Sequence, residues 1–236
     1  PRSTPKPSSA ASDVYKRQIF QIMRENPEVG RKAIKLRTFG THILRLIGRR
    51  EVHIVSVIPG GLTKPLNERE REILLKEAED ACRITKEAIE LGKELFERNW
   101  QNFRSVGAFK THYMGLTENG VLEFYEGRVR LIGADGEIEA EFDEENYMDY
   151  IVEKAYPWTY AKFAYFRDLG WPKGIIQVGP TARMNVSKKI STEMANEELK
   201  EFKRKYGSPA HATLLFDYAR LIDLLYACEK AKSLLE

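Results

Sequence analysis

Apolar positions in this chain recur at helical spacing, then alternate, then return to helical spacing. Ile19, Phe20, Ile22 and Met23 open an amphipathic helix that stops at Asn26-Pro27. Val29, Ala33, Leu36, Gly40, Ile43, Leu44 and Ile47 mark the next helix, with Asn26 placed as its N-cap, Pro27 at its first position and Gly48 as its stop. Val52 to Ile58 is a β-branched, extended run ending in Pro59-Gly60-Gly61, where one fixed φ and two permissive residues predict a sharp turn. Asn67 and Glu70 have capping-box spacing ahead of a long helix over about 68–100. Its stripe of Leu74, Ala78, Ala81, Cys82, Thr85, Ala88, Ile89, Gly92 and Phe96 is rich in small residues and predicts close helix packing.

The period changes in the middle. Val121–Tyr125, Arg128–Ile132 and Ile138–Phe142 read as short strands separated by Glu126-Gly127 and Asp135-Gly136, with His112–Leu116 as a fourth. Tyr147, Tyr150, Ile151 and Ala155 return to helical spacing, and an aromatic stretch from Tyr156-Pro157-Trp158 to Phe166 follows. In Gly174 to Val186 a buried-looking strand (Ile175, Ile176, Val178) runs into Gly179-Pro180, which stops it and forces a turn. Arg183 and Asn185 lie so close to this apolar run that they belong to an internal polar network or to a site. Glu193 to Tyr206 reads as a charged surface helix. Ser208-Pro209 reads as the cap and first position of the last helix, whose seam is Leu214, Tyr218, Leu221, Leu225, Cys228 and Leu235. That helix reaches Leu234-Leu235-Glu236 with no Gly stop, so the sequence reads as cut within an element. The expected class is α+β, mainly α: a helical bundle with an inserted antiparallel β-meander. Its parts are helices over 19–100, a β-insert over about 110–143 and a helical, aromatic remainder over 144–236.

Composition changes this picture in one place. The net charge of +3 comes entirely from Pro1 to Gln18, where Arg2, Lys6, Lys16 and Arg17 face Asp13. That Pro/Ser/Ala-rich tail reads as disordered, and SSAASDVYKRQ within it resembles translated sequencing-adapter sequence, so it is set aside from the fold argument. The remainder is neutral, which argues against nucleic acid as a partner. No apolar run approaches the roughly 18 residues that span a bilayer, and no leader pattern is found, so a cytoplasmic protein is expected.

Candidate chemistry is sparse. His42, His53, His112 and His211 are widely separated, and neither Cys82 nor Cys228 sits in a CxxC pair, so the spacing of a zinc site is missing. Both cysteines fall on apolar helix faces and read as core. His211, in the expected first turn of the last helix, would have its charged form disfavoured by the helix dipole. Glu139, Glu141 and Asp143 share one strand face, read as solvent-exposed rather than as an acid/base pair. The Arg31, Lys32, Lys35 and Arg37 run reads as a solvated helix face rather than a phosphate site. Tyr156 to Tyr165, with Lys162 and Arg167 nearby, reads as packing against the β-insert rather than as a base-stacking platform.

Several segments carry a resemblance. GIIQVGPTARMNV resembles the GxYRVGPLARLN stretch of nickel–iron hydrogenase large subunits, and HIVSVIPGGLTKPL (His53 to Leu66) their HPvxavPGGvxKPL stretch. NPEVGRKAIKLRTFGTHILRLIGRR, LEFYEGRVRLIGADGEIEAEF, YAKFAYFRDLGWPKGIIQVGPTARMN and HATLLFDYARLIDLLYACEKAKSLLE resemble further segments in family order over Ile19 to Glu236. The soluble cofactor-coupled and sulfhydrogenase groups are the most similar. Ile54 stands where the family has Pro, Thr181 where it has Leu and Gln177 where it has Arg.

The resemblance implies the large-subunit fold and an activity that interconverts molecular hydrogen with protons and electrons. The partners it implies are an iron–sulfur small subunit together with further electron-transfer subunits. The family's nickel–iron centre is held by four thiolates from two CxxC-type motifs, and neither motif is in this sequence. They are expected before Ile19 and after Glu236, so the chain reads as a partial, inactive subunit to which no catalytic, cofactor-binding or metal residue is assigned. His53, Pro59, Gly60 and Gly61, with Gly179, Pro180, Arg183 and Asn185, match family motifs and read as scaffold. Among them His53 and Arg183 are the candidates to line the active site or its proton route. The alternatives are a cysteine-less structural relative, like the quinone-site subunit of respiratory assemblies, and an unrelated helical binding module.

Overall fold

A computed structural model describes residues 24–236. The tail over 1–18 and residues 19–23 of the helix expected to begin at Ile19 lie outside the described residues; Arg24 and Glu25, at its end, are helical. The chain divides into two compact units, residues 24–84 with Leu234–Glu236, and residues 85–233.

In the first unit, α1 (Pro27–Gly48) starts at the expected Pro27, but the Asn26 side chain makes no cap hydrogen bond, and Arg49 at φ 64° closes the helix. The expected apolar face is largely wet: Val29 and Leu44 are exposed, whereas Phe39, Gly30 and Gly48 are buried. A Cβ at Gly48 would lie 3.0 Å from the Ile54 side chain, so the chain after the helix turns back against its end. The basic run behaves as an ion-paired surface, with Lys32 on Glu28 and Lys35 on Asp80. Strands β1 (Val57–Ile58) and β2 (Gly61–Leu62) pair around Pro59-Gly60, with Gly60 at φ 97° and Gly61 at φ 141°. Helix α2 (Glu68–Phe103) opens on the reciprocal box that the spacing predicts: Glu70 N–H donates to Asn67 Oδ1 at 2.9 Å, and Asn67 N–H to Glu70 Oε2 at 3.0 Å. Leu74, Ala78, Ala81, Cys82, Thr85 and Ile89 of its small-residue stripe are buried, as expected.

The second unit holds the sheet. Strands β3 (His112–Glu118), β4 (Val121–Leu122), β5 (Arg128–Ile132) and β6 (Ile138–Phe142) lie in the order β4-β3-β5-β6. The strand treated as an addition, β3, is therefore the centre, because both β4 and β5 pair with it. Nor is the sheet wholly antiparallel: β9 (Ile176–Gln177) joins β3 in parallel. Ile175 and Val178 beside β9 are exposed rather than buried, since only a short bridge engages this segment.

Two helix expectations fail for nonlocal reasons. Helical spacing through Ala155 gives way after α3 (Tyr147–Tyr150) to strand β7 (Ile151–Tyr156), which pairs with β8 (Thr159–Phe166) around Pro157-Trp158. Pro157 cannot continue a helix, and the β-branched and aromatic residues gain cross-strand partners instead. The hairpin packs on itself rather than on the insert: Trp158 is 72% and Tyr160 102% exposed, while Tyr156, Phe163 and Trp171 form the ring cluster. The last helix, α6, begins at Leu215 (Leu215–Leu235) rather than at Pro209. An asparagine side chain from elsewhere holds the intervening backbone, as described below.

Helix α5 (Glu193–Tyr206) has the expected bounds but is not simply a surface helix, because Ala195, Glu198, Leu199 and Phe202 are buried. Its first turn lacks a side-chain cap of its own, and Glu229 of α6 accepts the Met194 and Ala195 N–H groups at 3.0 and 2.9 Å. Helix α6 is buried on several faces rather than along one seam: Leu215, Tyr218, Ala219, Ile222, Leu225 and Tyr226 all join the core with Ile89, Leu199 and Phe202. Each fully buried large apolar side chain contributes roughly 1.5–3 kcal/mol, so packing is what chiefly holds α6 in place.

Candidate functional site

The signature segment is a hub. Gly179 adopts φ 93° and lets the chain turn from β9 into a short helix, α4 (Pro180–Val186), with Pro180 at its first position. The alternation of Arg183 and Asn185 with Met184 and Val186 is therefore helical, not extended. Close contact with the sheet depends on Gly115 of β3, where a Cβ would lie 2.8 Å from Val186 Cγ2. Tyr113, Ile132, Ala182 and Val186 form the small core between them.

Arg183 and Asn185 engage different partners. Arg183 grips Asp223 of α6 through Nε to Oδ2 at 3.1 Å and Nη2 to Oδ2 at 2.5 Å. Its guanidinium also lies 5.1 Å from the Phe124 ring centre. Burial pushes the Asp223 carboxyl above the ordinary carboxylate range, and the Arg183 hydrogen bond with the Arg183 and Arg220 charges opposes that rise. Asn185 spends both ends of its amide on one residue: it donates to Ala210 C=O at 3.0 Å and accepts from Ala210 N–H at 2.9 Å. This is the clamp that delays α6. Asn185→Ala is expected to cost about 2–4 kcal/mol, since two hydrogen bonds go and a buried backbone pair is left unsatisfied; urea unfolding followed by circular dichroism measures it.

The carbonyl end of α4 meets two cations. Arg130 Nη1 donates to Val186 C=O at 3.2 Å, and Lys203 of α5 donates to Ser187 C=O. Burial, together with the Arg130 charge, pushes the Lys203 amine down to about 8. Thr181 is 1% exposed, and its hydroxyl has no hydrogen-bond partner among the described residues. Thr181→Val is expected to stabilise the protein by roughly 1 kcal/mol, because it removes an unpaired buried hydroxyl at nearly constant shape; a higher urea midpoint checks this.

Beside α4 opens a cleft of about 430 Å³ whose lining includes Met114, Leu116, Glu123, Phe124, Val178 and Arg183. A second cluster in this unit centres on Glu198, 2% exposed, which accepts from Lys86 at 2.5 Å, Lys93 at 2.9 Å and the Tyr218 hydroxyl at 2.9 Å. Glu201 holds the same Lys93 amine at 2.7 Å.

The remaining sequence candidates are scattered. His53, at φ 56°, and the Pro59-Gly60-Gly61 turn are exposed in the first unit, where His42 meets Glu77 at 2.8 Å. His112 meets Glu139 at 3.2 Å, while Glu141 pairs with Arg130 and Asp143 with Arg128, so this acidic strand face is ion-paired. His211 precedes α6, so the dipole does not act on it. Its charged form is nevertheless disfavoured, chiefly by burial and by Lys110. Its Nδ1 lies 2.6 Å from the hydroxyl of the fully buried Tyr113. Cys82 and Cys228 are buried, neither is in a disulfide, and burial raises the Cys228 thiol. Asp223, Glu198 and Lys93 are the residues that sequence reasoning missed. Asp223 alone had a visible signal, as the single charge within Leu221-Ile222-Asp223-Leu224-Leu225-Tyr226.

No protein-family model matches the chain. It is 40% identical over 220 residues to the vhu-type F420-non-reducing hydrogenase protein of Methanocaldococcus jannaschii, covering 93% of this chain and 53% of that protein. It is 31% identical to the beta subunit of the NAD-reducing hydrogenase HoxS of Cupriavidus necator, covering 93% of this chain and 46% of that one. A chain of an NAD+-reducing [NiFe]-hydrogenase in the H2-reduced state superimposes with a TM-score of 0.88 at 32% identity, over 92% of this chain and 49% of its own. The chain thus spans about half the length of the relatives it matches. The fold is the one the resemblance implied, mainly helical with small sheets.

Proposed function

We propose that this chain is part of the large subunit of a nickel–iron hydrogenase, whose intact form reversibly oxidises molecular hydrogen and passes electrons to an iron–sulfur small subunit. The carrying observation is the 0.88 superposition at 32% identity, along nearly the whole chain, on a structure named as such an enzyme. Relatives named as F420-non-reducing and NAD-reducing hydrogenase subunits support it. No helix among the described residues is long and apolar enough to cross a membrane, which is compatible with a cytoplasmic enzyme.

The residues present do not fit the metal centre. Such a centre needs four thiolates, and soft sulfur donors cannot be replaced by the oxygen and nitrogen groups here. Cys82 and Cys228 are two buried thiols in different units, in no paired motif, with Cys228 held above its ordinary pKa and so disfavoured as thiolate. No step of the reaction is derived through these residues. The role of this chain in the proposal is scaffold: Arg183, Asn185 and Gly115 fix α4 between sheet and helices.

Elemental analysis of the purified 236-residue chain is expected to find no stoichiometric nickel, whereas tight one-to-one nickel would overturn the assignment of the metal ligands to other segments. Extending the reading frame past both ends is expected to reveal the two cysteine pairs. A native frame that contains neither, with no hydrogen-dependent dye reduction by its product, would sink the hydrogenase reading.

A further inference from the structure

We infer that His211 is an acid-sensitive latch on the strap over 207–214, the non-helical segment that joins α5 to α6. The inference rests on the fold alone, and not on the hydrogenase reading or its metal chemistry. The strap is held at two adjacent residues. Asn185 takes both backbone groups of Ala210. The Tyr113 hydroxyl meets His211 Nδ1 at 2.6 Å, and the two rings stack with their centres 5.8 Å apart. The first hold has no titratable member. The second has a histidine, the side chain whose charge ordinarily changes nearest neutral pH.

The contacts of the ring fix its proton. The Ala134 backbone hydrogen bond favours a protonated ring nitrogen, so Nε2–H donates to the Ala134 C=O and Nδ1 is left to accept the Tyr113 O–H. A second proton would make Nδ1 a donor as well. Tyr113 would then have to accept, and its own hydrogen would lose its acceptor inside the core it shares with Ile132, Ala182 and Val186, where it is fully buried. Ionisation offers Tyr113 no escape, because burial pushes its hydroxyl up to about 12. Nor do the surroundings supply a counter-charge. The segment before β3 contributes Lys110, which repels the imidazolium. On β3, the neighbouring His112 is engaged with Glu139. In the turn between β5 and β6, Asp135 accepts the Glu137 N–H. The strap itself, Gly207 to Leu214, holds no other charged residue. Among the described residues His211 makes no ion pair.

Burial and then Lys110 hold the folded-state histidine below its ordinary value. The stability this contact contributes is therefore fully present above the ordinary histidine value and is lost as pH falls from there toward the folded one. The strap is the element that yields: Gly207, Ser208 and Thr213 are exposed, whereas α5 and α6 on either side of it are packed into the core. Opening it frees Ala210 from Asn185 and so loosens the mounting of α4.

Hydrogen exchange of the 236-residue chain, corrected for the intrinsic rate at each pH, tests the latch. The Ala210 N–H, which donates to Asn185, is the reporter, and the amides of α5 are the reference. Between about pH 7.5 and about pH 5, where histidine titrates ahead of ordinary carboxylates, strap protection relative to α5 is expected to fall about tenfold, the equivalent of one buried hydrogen bond lost. His211→Gln offers an acceptor and N–H donors but never charges, so it should keep the protection at neutral pH and lose the acid step. Asp223 remains in that variant, so its titration is not the source of the difference. Tyr113→Phe should lower strap protection at neutral pH and leave a smaller acid step. Equal protection of the wild-type strap at both pH values would overturn the latch, as would an acid step of unchanged size in His211→Gln. If His211→Gln does not fold, the imidazole titration of His211 in the wild type, followed by NMR, decides. A midpoint below the ordinary histidine value is expected, and one at or above it would overturn the proposal.

Discussion

Glu198→Ala is expected to destabilise the second unit by about 3–5 kcal/mol, the usual cost of breaking a buried ion pair from one side. The carboxylate accepts from Lys86, Lys93 and Tyr218, and it is 2% exposed. Without it, Lys93, 11% exposed, keeps Glu201 and the more exposed Glu90, while the Tyr218 hydroxyl loses its acceptor inside an aromatic core. Exposed pairs contribute at most about 1 kcal/mol, so Glu90 cannot compensate. The dependence on pH has a definite sign. Burial pushes the Glu198 carboxyl up, but the hydrogen bonds from Lys86, Lys93 and Tyr218 outweigh it and hold the group below its ordinary value. A folded-state pKa below the unfolded one contributes stability that is fully present above the unfolded value and is lost as pH falls through the folded one. The gap in urea midpoint between wild type and variant should therefore be widest at neutral pH and close in acid. A gap of equal size at neutral pH and in acid would show that shape, not charge, is what the variant loses.

Where the sequence was legible, the physics was local. The Asn67–Glu70 box, the Asp135-Gly136 hairpin and the Gly179-Pro180 turn each depend on residues within a few positions of one another, and all three form. The failures are nonlocal. Lys93 and Glu198 each sit in a run of charge that reads as a wet helix face, and only the packing of α2 against α5, over 105 positions of separation, buries them together. Ser208-Pro209 carries a good local helix start, yet Asn185 takes both backbone groups of Ala210 and moves that start to Leu215. The centre of the sheet was missed for a similar reason: β3 looks no stronger than its neighbours until β4, β5 and β9 are seen to pair with it. At the site, the motif marked α4 correctly as polar within an apolar setting, but not the partner of its arginine.

That partner gives the second large effect. Arg183→Leu is expected to cost about 3–5 kcal/mol at neutral pH, because it leaves the Asp223 carboxylate, 7% exposed, without the guanidinium that grips it. Asp223 already lies above the ordinary carboxylate range through burial, with Arg183 holding it down. Removing the arginine lets it rise further. A folded pKa above the unfolded one means that the native state binds the proton more tightly, so stability is lost as pH rises from the unfolded value through the folded one. The variant should then recover much of its deficit on acidification, when Asp223 becomes neutral. Arg183→Leu combined with Asp223→Leu should recover most of it at neutral pH, since replacing both members of a buried pair by apolar groups is often nearly neutral. The two gaps thus close in acid from opposite sides. Wild type falls toward Glu198→Ala as it loses a carboxylate held charged, whereas Arg183→Leu climbs toward wild type as it sheds a buried charge left unpaired. If the Arg183→Leu deficit does not change on mild acidification, and Asp223→Leu does not relieve it, the ion pair is not what fixes α4 to α6. The Phe124 stack and the Asn185 clamp would then be the contacts that do.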